Sequence, residues 1–283
     1  MSPFDTVVII DWSAGNDTGA TPRKDAIWAG LVRSGVEDAP VYLRNREVAL
    51  EWIRGLIDTE LRSGRRLFAG FDFPFGYPSG FADHVVGRPD TLALWDFFAS
   101  ELVDTPKAND RFDLAGALNR RFPGVGPFWF NGLSRDIADL PRKKSERTDS
   151  HGLPERRQTE IAAVGSFTAW QMGGAGAVGG QVMTGMAALS KLRVEFPGEI
   201  AVWPFEPPHA PIVLGEIYPS LIADPVRAAG DPIKDRAQVR LLARALARLT
   251  PGQWVELLSK DAPEEGWILG AGKADGLIAA LGP

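Results

Sequence analysis

The chain of 283 residues contains no cysteine, so disulfides, thiolate catalysis and thiolate metal sites are excluded. Histidine is almost as scarce: His84, His151 and His209 are too few and too scattered for a zinc motif. Any metal must therefore be held by oxygen. No apolar stretch approaches the ~18 residues needed to span a bilayer, and the opening Met1-Ser-Pro-Phe-Asp5 lacks the basic segment and apolar run of a signal peptide. The expected location is the cytoplasm. Positive charge is not in excess either. The formal net charge of -5 argues against broad, sequence-independent nucleic-acid binding, while leaving room for a local basic groove beside an acidic site.

What is present is an ordinary globular composition, 45% hydrophobic and 24% charged, enough to bury a large core. The length suits one core with a sizeable insertion as well as it suits two domains. The stretch that organises the rest is Val7-Val8-Ile9-Ile10-Asp11-Trp12-Ser13-Ala14-Gly15, where a β-branched run delivers one carboxylate to a turn of small residues. Asp11 alone reads equally well as a turn cap. The pattern recurs, however. Leu67-Phe-Ala-Gly-Phe-Asp72 is a second apolar strand ending in an acid, closed off by the prolines of Phe73-Pro-Phe-Gly-Tyr-Pro78. Pro211-Ile-Val-Leu-Gly-Glu-Ile-Tyr-Pro219 carries Glu216 within an apolar run, where an ionised side chain is expensive to bury unless a cation or hydrogen-bond donors meet it.

Between these strands, Ala26–Val32 and Val41–Leu43 follow Asp11 through short turns, which implies antiparallel hairpins. Asn45 is placed to cap a helix with an apolar face of Val48, Trp52, Ile53, Leu56, Ile57 and Leu61, ending near Ser63-Gly64. Residues 79–210 have a different texture, with helix-like segments at 89–102, 109–121 and 185–193 broken by glycine and proline, and read as a mainly helical insertion. Its basic residues Arg142-Lys143-Lys144 and Arg156-Arg157 are interleaved with acids and read as a solvated loop. Gly174-Ala-Gly-Ala-Val-Gly179 spells G-x-G-x-x-G without the strand and βαβ frame of a dinucleotide site, so close packing is the expected reason for its small residues. From Asp235 to Thr250 runs an amphipathic helix whose outer face is Arg236, Arg240, Arg244 and Arg248. The tail ends in a short helix with Asp275 at its start, where N-capping is a sufficient role.

This order, with Asp11, Asp72 and Glu216 on strands and Asp275 near a helix start, resembles the ribonuclease H-like fold. The resemblance implies an α/β protein in which a mixed five-stranded sheet, built from residues 1–78 and 211–283, brings the first and fourth strands together, with 79–210 as the insertion. The motifs Ile10-Asp11-Trp12-Ser13, Gly70-Phe-Asp-Phe-Pro-Phe-Gly76, Glu216-Ile-Tyr-Pro219 and Lys273-Ala-Asp-Gly-Leu-Ile-Ala-Ala280 are similar to those of the domain of unknown function 429 family of predicted nucleases. Converging carboxylates repel unless divalent cations lie between them, so the expected cofactor is Mg2+ or Mn2+. On this expectation Asp11 bridges two ions, Asp72 and Glu216 each complete one coordination sphere, and Asp275 holds the second ion or orients water, with Ser13 and Lys273 meeting a nucleic-acid or nucleotide phosphodiester. Two other readings stand beside it: a nucleotide-dependent phosphotransferase of the actin-like ATPase class, for which only the Asp11–Gly15 turn is present, and a non-catalytic binding module with structural acids.

Overall fold

The computed structural model describes residues 2–282. The apolar runs become β1 (Thr6–Asp11), β2 (Ile27–Arg33), β3 (Val36–Glu37) and β4 (Val41–Leu43), followed by α1 (Arg46–Arg62) and β5 (Leu67–Phe71). Asn45 caps α1 as its sequence position suggests, its side chain accepting from the Val48 N–H at 2.9 Å. Then come α2 (Phe81–Val86), α3 (Thr91–Glu101), α4 (Arg111–Asn119), α5 (Gln158–Ala162), α6 (Gly179–Glu195), β6 (Ile200–Val202) and β7 (Ile212–Glu216). The chain ends with α7 (Ala223–Ala228), α8 (Lys234–Ala247), α9 (Pro251–Leu258) and α10 (Ala274–Leu281). Among the described residues no helix is long and apolar enough to cross a membrane.

The result is an α/β protein with a mixed sheet of seven strands in the order β3-β2-β1-β5-β7-β6, and β4 pairing with β2. β2 runs antiparallel to β1, whereas β5, β7 and β6 continue parallel to it. Five strands were expected. The additions are the two-residue β3, too short to show a period, and β6, which comes from within residues 79–210 and forms the far edge beside β7.

Each face of the sheet is covered. Val8, Ile10, Leu67, Ala69, Phe71, Ile212 and Leu214 pack with Trp95 and Phe98 of α3 and Met183, Met186 and Leu189 of α6. Val7, Ile9, Phe68 and Val213 pack on the other side with Val239, Leu242 and Leu246 of α8 and Trp254 of α9. The helices of 79–210 therefore share a continuous core with the strands, because their apolar faces have the sheet itself to bury against.

The arginine stripe of α8 is used structurally. Arg244 and Arg240 meet Glu37 at 2.7 and 3.8 Å, Arg236 meets Asp231 at 2.7 Å, and Arg248 donates to the Leu281 carbonyl at 2.6 Å. α8 also lies very close to β2: a Cβ on Gly30 would be 2.5 Å from the Val239 backbone. Gly30→Ala must push α8 off the sheet, and overpacking of this kind costs about 1–3 kcal/mol. Urea unfolding should show that loss, whereas Gly55→Ala, where a Cβ meets nothing, should show none.

Candidate active site

β1 and β5 are parallel neighbours with Ile10 opposite Phe71, so Asp11 and Asp72, each one residue further on, end side by side. The Asp72 N–H donates to the Ile10 carbonyl at 2.9 Å and extends the ladder to the acids. β7 is shifted by one place: Glu216 is level with Phe71, not with Asp72. Since successive side chains on a strand point to opposite faces, this shift starts Glu216 from the other face of the sheet, although all three acids line one cavity at the strand ends. Asp11 and Asp72 continue the series of Val7, Ile9 and Phe68 toward α8, whereas Glu216 continues the series of Ile212 and Leu214 toward α6.

The two aspartates are half-buried, and neither carboxylate has a hydrogen-bond or ion-pair partner among the described residues. Burial, then the charge of Asp72, holds Asp11 well above the ordinary carboxylate range. Asp72 is pushed up to about 7 by burial first and by Glu216 second. Facing them is the first turn of α8, which brings Lys234, Asp235 and Gln238 into the same cavity of about 260 Å³. Asp235 accepts the Asp25 N–H at 2.9 Å, which ties the β1–β2 connection to this helix start.

Glu216 is otherwise occupied. Arg157, fully buried, donates to Glu216 Oε2 at 2.8 Å and Oε1 at 2.6 Å, and the Phe75 N–H donates to Oε2 at 2.9 Å. Arg157 also reaches Glu160 Oε1 at 2.8 Å and the Glu265 carbonyl at 2.9 Å. Burial opposes the guanidinium charge, but Glu216 and Glu160 outweigh it and raise the Arg157 pKa. Of the basic residues expected in a solvated loop, Arg142, Lys143, Lys144 and Arg156 are exposed, and Arg157 is the exception: the buried carboxylate of Glu216 takes it as its cation.

The remaining expected residues lie elsewhere. Ser13 uses its hydroxyl on its own turn, accepting from the Gly15 N–H at 3.1 Å. Lys273 pairs with Glu256 at 2.7 Å, and Asp275 is exposed in the first turn of α10. Neither lines the cavity, because α10 packs on α8 and it is α8 that lies against β1 and β2. Among the described residues no three His, Asp or Glu side chains converge closely enough to hold one ion together.

No family model, curated protein or solved structure matches this chain. The site is thus defined by its own groups: Asp11 and Asp72 from the strand ends, Lys234, Asp235 and Gln238 from α8, and the Glu216–Arg157 pair behind them. Sequence reasoning missed all three α8 residues and Arg157. For Asp235 a signal existed, an acid in the first turn of the clearest amphipathic helix; for Arg157 there was only the unmet need of Glu216.

Proposed function

We propose that this protein has a ribonuclease H-like core and acts as a divalent-metal-dependent hydrolase of phosphodiesters, as nuclease or phosphodiesterase. The observation that carries the reading is the Asp11–Asp72 pair, two half-buried carboxylates on adjacent strands that no hydrogen-bond donor or ion pair meets, with the Lys234 charge acting on them only as a minor influence behind burial and neighbouring acids. The central strand order β3-β2-β1-β5-β7, antiparallel then parallel, supports the core assignment, as does the resemblance of the motifs around both aspartates to the domain of unknown function 429 family.

The donor set suits one hard cation better than two. Two carboxylates, with water and substrate oxygens, make an acceptable Mg2+ environment, whereas Glu216 already serves Arg157 and Asp275 is remote. Asp11 and Asp72 would hold Mg2+ or Mn2+, which when bound supplies charge screening and polarisation of a phosphoryl oxygen. Lys234, which forms no ion pair among the described residues, would meet the phosphate. Asp235 would take the proton of the attacking water as its oxygen bonds to phosphorus and the ester P–O bond breaks, the leaving oxygen being protonated from solvent. Arg157 would hold Glu216 fixed behind the two aspartates.

The test is hydrolysis of bis(p-nitrophenyl) phosphate with and without Mn2+. Wild type should require the metal. Asp235→Asn should lose about 100-fold or more in turnover, while Asp275→Asn should equal wild type. Metal-independent turnover, or equal losses in both variants, would refute this assignment.

A further inference from the structure

The glycine run noted in the sequence leads directly into α6, and Gly176, Ala177 and Val178 line the same cavity as Asp11 and Asp72. Packing explains all three of its glycines, since a Cβ on Gly174 would be 2.8 Å from the Phe130 ring, one on Gly176 would be 2.2 Å from the Phe167 ring and one on Gly179 would be 2.7 Å from the carbonyl oxygens of Ala169 and Gln171. Packing does not explain the helix end they deliver. α6 has 17 residues, a valine at its N-cap and no acid in its first turn. The Gly179 N–H reaches the Gln171 carbonyl at 2.9 Å, but the N–H groups of Gly180 and Gln181 have no acceptor among the described residues. A helix start of this kind keeps its donors and its partial positive charge available.

An independent observation points the same way. Gln238 is 7% exposed and lines the cavity, and its carboxamide has no hydrogen-bond partner among the described residues. A carboxamide on a mostly buried residue that lines a cavity without a protein partner leaves its donor and acceptor to whatever enters there. Gln238 follows the unpaired ammonium of Lys234 by one turn, and both line the cavity.

We propose that the first turn of α6, Gln238 and Lys234 form an oxyanion subsite that takes the terminal phosphate of a small phosphoester such as a nucleotide. The subsite rests on the reading of the cavity as a phosphoester site, but uses none of the metal-holding groups. A cavity of about 260 Å³, walled by the insertion through Phe167 and the glycine run, suits a phosphate end better than the middle of a polymer.

Calorimetric titration in EDTA of Asp72→Asn, which removes one repelling charge, separates this subsite from metal binding. Inorganic phosphate and a mononucleotide should both bind, and a single-stranded oligonucleotide without terminal phosphates should bind about 10-fold more weakly. Adding Val178→Asp, which places a carboxylate at the N-cap without disturbing the helix, should weaken phosphate at least about 10-fold. Gln238→Leu should cost about 10-fold, the value of one hydrogen bond to a charged group. Phosphate affinity unchanged by Val178→Asp, with thermal unfolding unaltered, would overturn the subsite, and equal affinity for the oligonucleotide would overturn its preference for a phosphate end. Mn2+ binding to wild type is measured alongside. A protein that binds Mn2+ but no phosphate retains the hydrolase reading and loses the subsite; one that binds phosphate but no Mn2+ retains the subsite and loses the hydrolase reading.

Discussion

Replacing Asp72 with Asn should make the metal-free protein more stable near pH 8, with a gain that fades as the pH falls toward about 4. In the folded protein Asp72 titrates at about 7 rather than 3.8, because burial and then Glu216 disfavour its charge. Between those two values the unfolded chain has already released the proton that the native state retains. Native stability therefore falls as pH rises through that window, and removing the carboxyl removes the loss. A change from 3.8 to about 7 corresponds to at most about 4 kcal/mol, and solvent in the cavity reduces this to roughly 2. Asp11→Asn should act in the same direction, since burial and Asp72 raise its pKa as well.

Millimolar Mn2+ should reverse the order. Wild type gains stability from an ion bound only by the native state, both Asn variants gain little, and their metal-dependent hydrolysis falls at least about 100-fold. Thermal unfolding across pH, in EDTA and in Mn2+, gives both results. An Asn variant less stable than wild type at high pH in EDTA would show that the acids are not under mutual strain, and the metal reading would lose its physical basis.

The second large effect belongs to Arg157. Arg157→Met leaves Glu216 and Glu160 facing each other with no cation, at 2% exposure each. Breaking a buried pair in this way costs about 3–5 kcal/mol. Its loss also frees the Glu265 carbonyl and weakens the joint between the start of α5 and the end of β7. The companion variant Arg157→Met/Glu216→Gln should recover a large part of the loss, because the uncompensated charge, more than the missing contacts, is what destabilises. Denaturant unfolding of the single and double variants decides this: a double variant no more stable than Arg157→Met would mean that packing dominates. By contrast, Arg248→Ala at the C-cap of α8, whose side chain meets only the Ala280 and Leu281 carbonyls at the end of α10, should cost well under 1 kcal/mol.

Much of the architecture was readable locally. The runs before Asp11 and Asp72 became adjacent parallel strands, and the Asn45 cap and the apolar face behind it became α1. Asp235 to Thr250 likewise became the helix that covers one sheet face. These features depend on neighbours two to four residues apart, and their periods are written into the chain. β3 and β6, with two and three residues, are too short to carry a period and exist because a neighbouring strand offers a ladder.

The chemistry at the strand ends was legible to a lesser degree. The sequence by itself determined that any metal must be held by oxygen, that acids end two apolar strands, and that Glu216 would be costly to bury unless a cation or hydrogen-bond donors met it. Only the tertiary structure decided that Glu216 starts from the opposite sheet face to Asp11 and Asp72, that Arg157 is its cation, and that α8 rather than α10 brings an acid to the site. A one-residue difference in strand register and the choice between two helix starts change no local pattern; they are selected by which faces find a partner when the whole core closes.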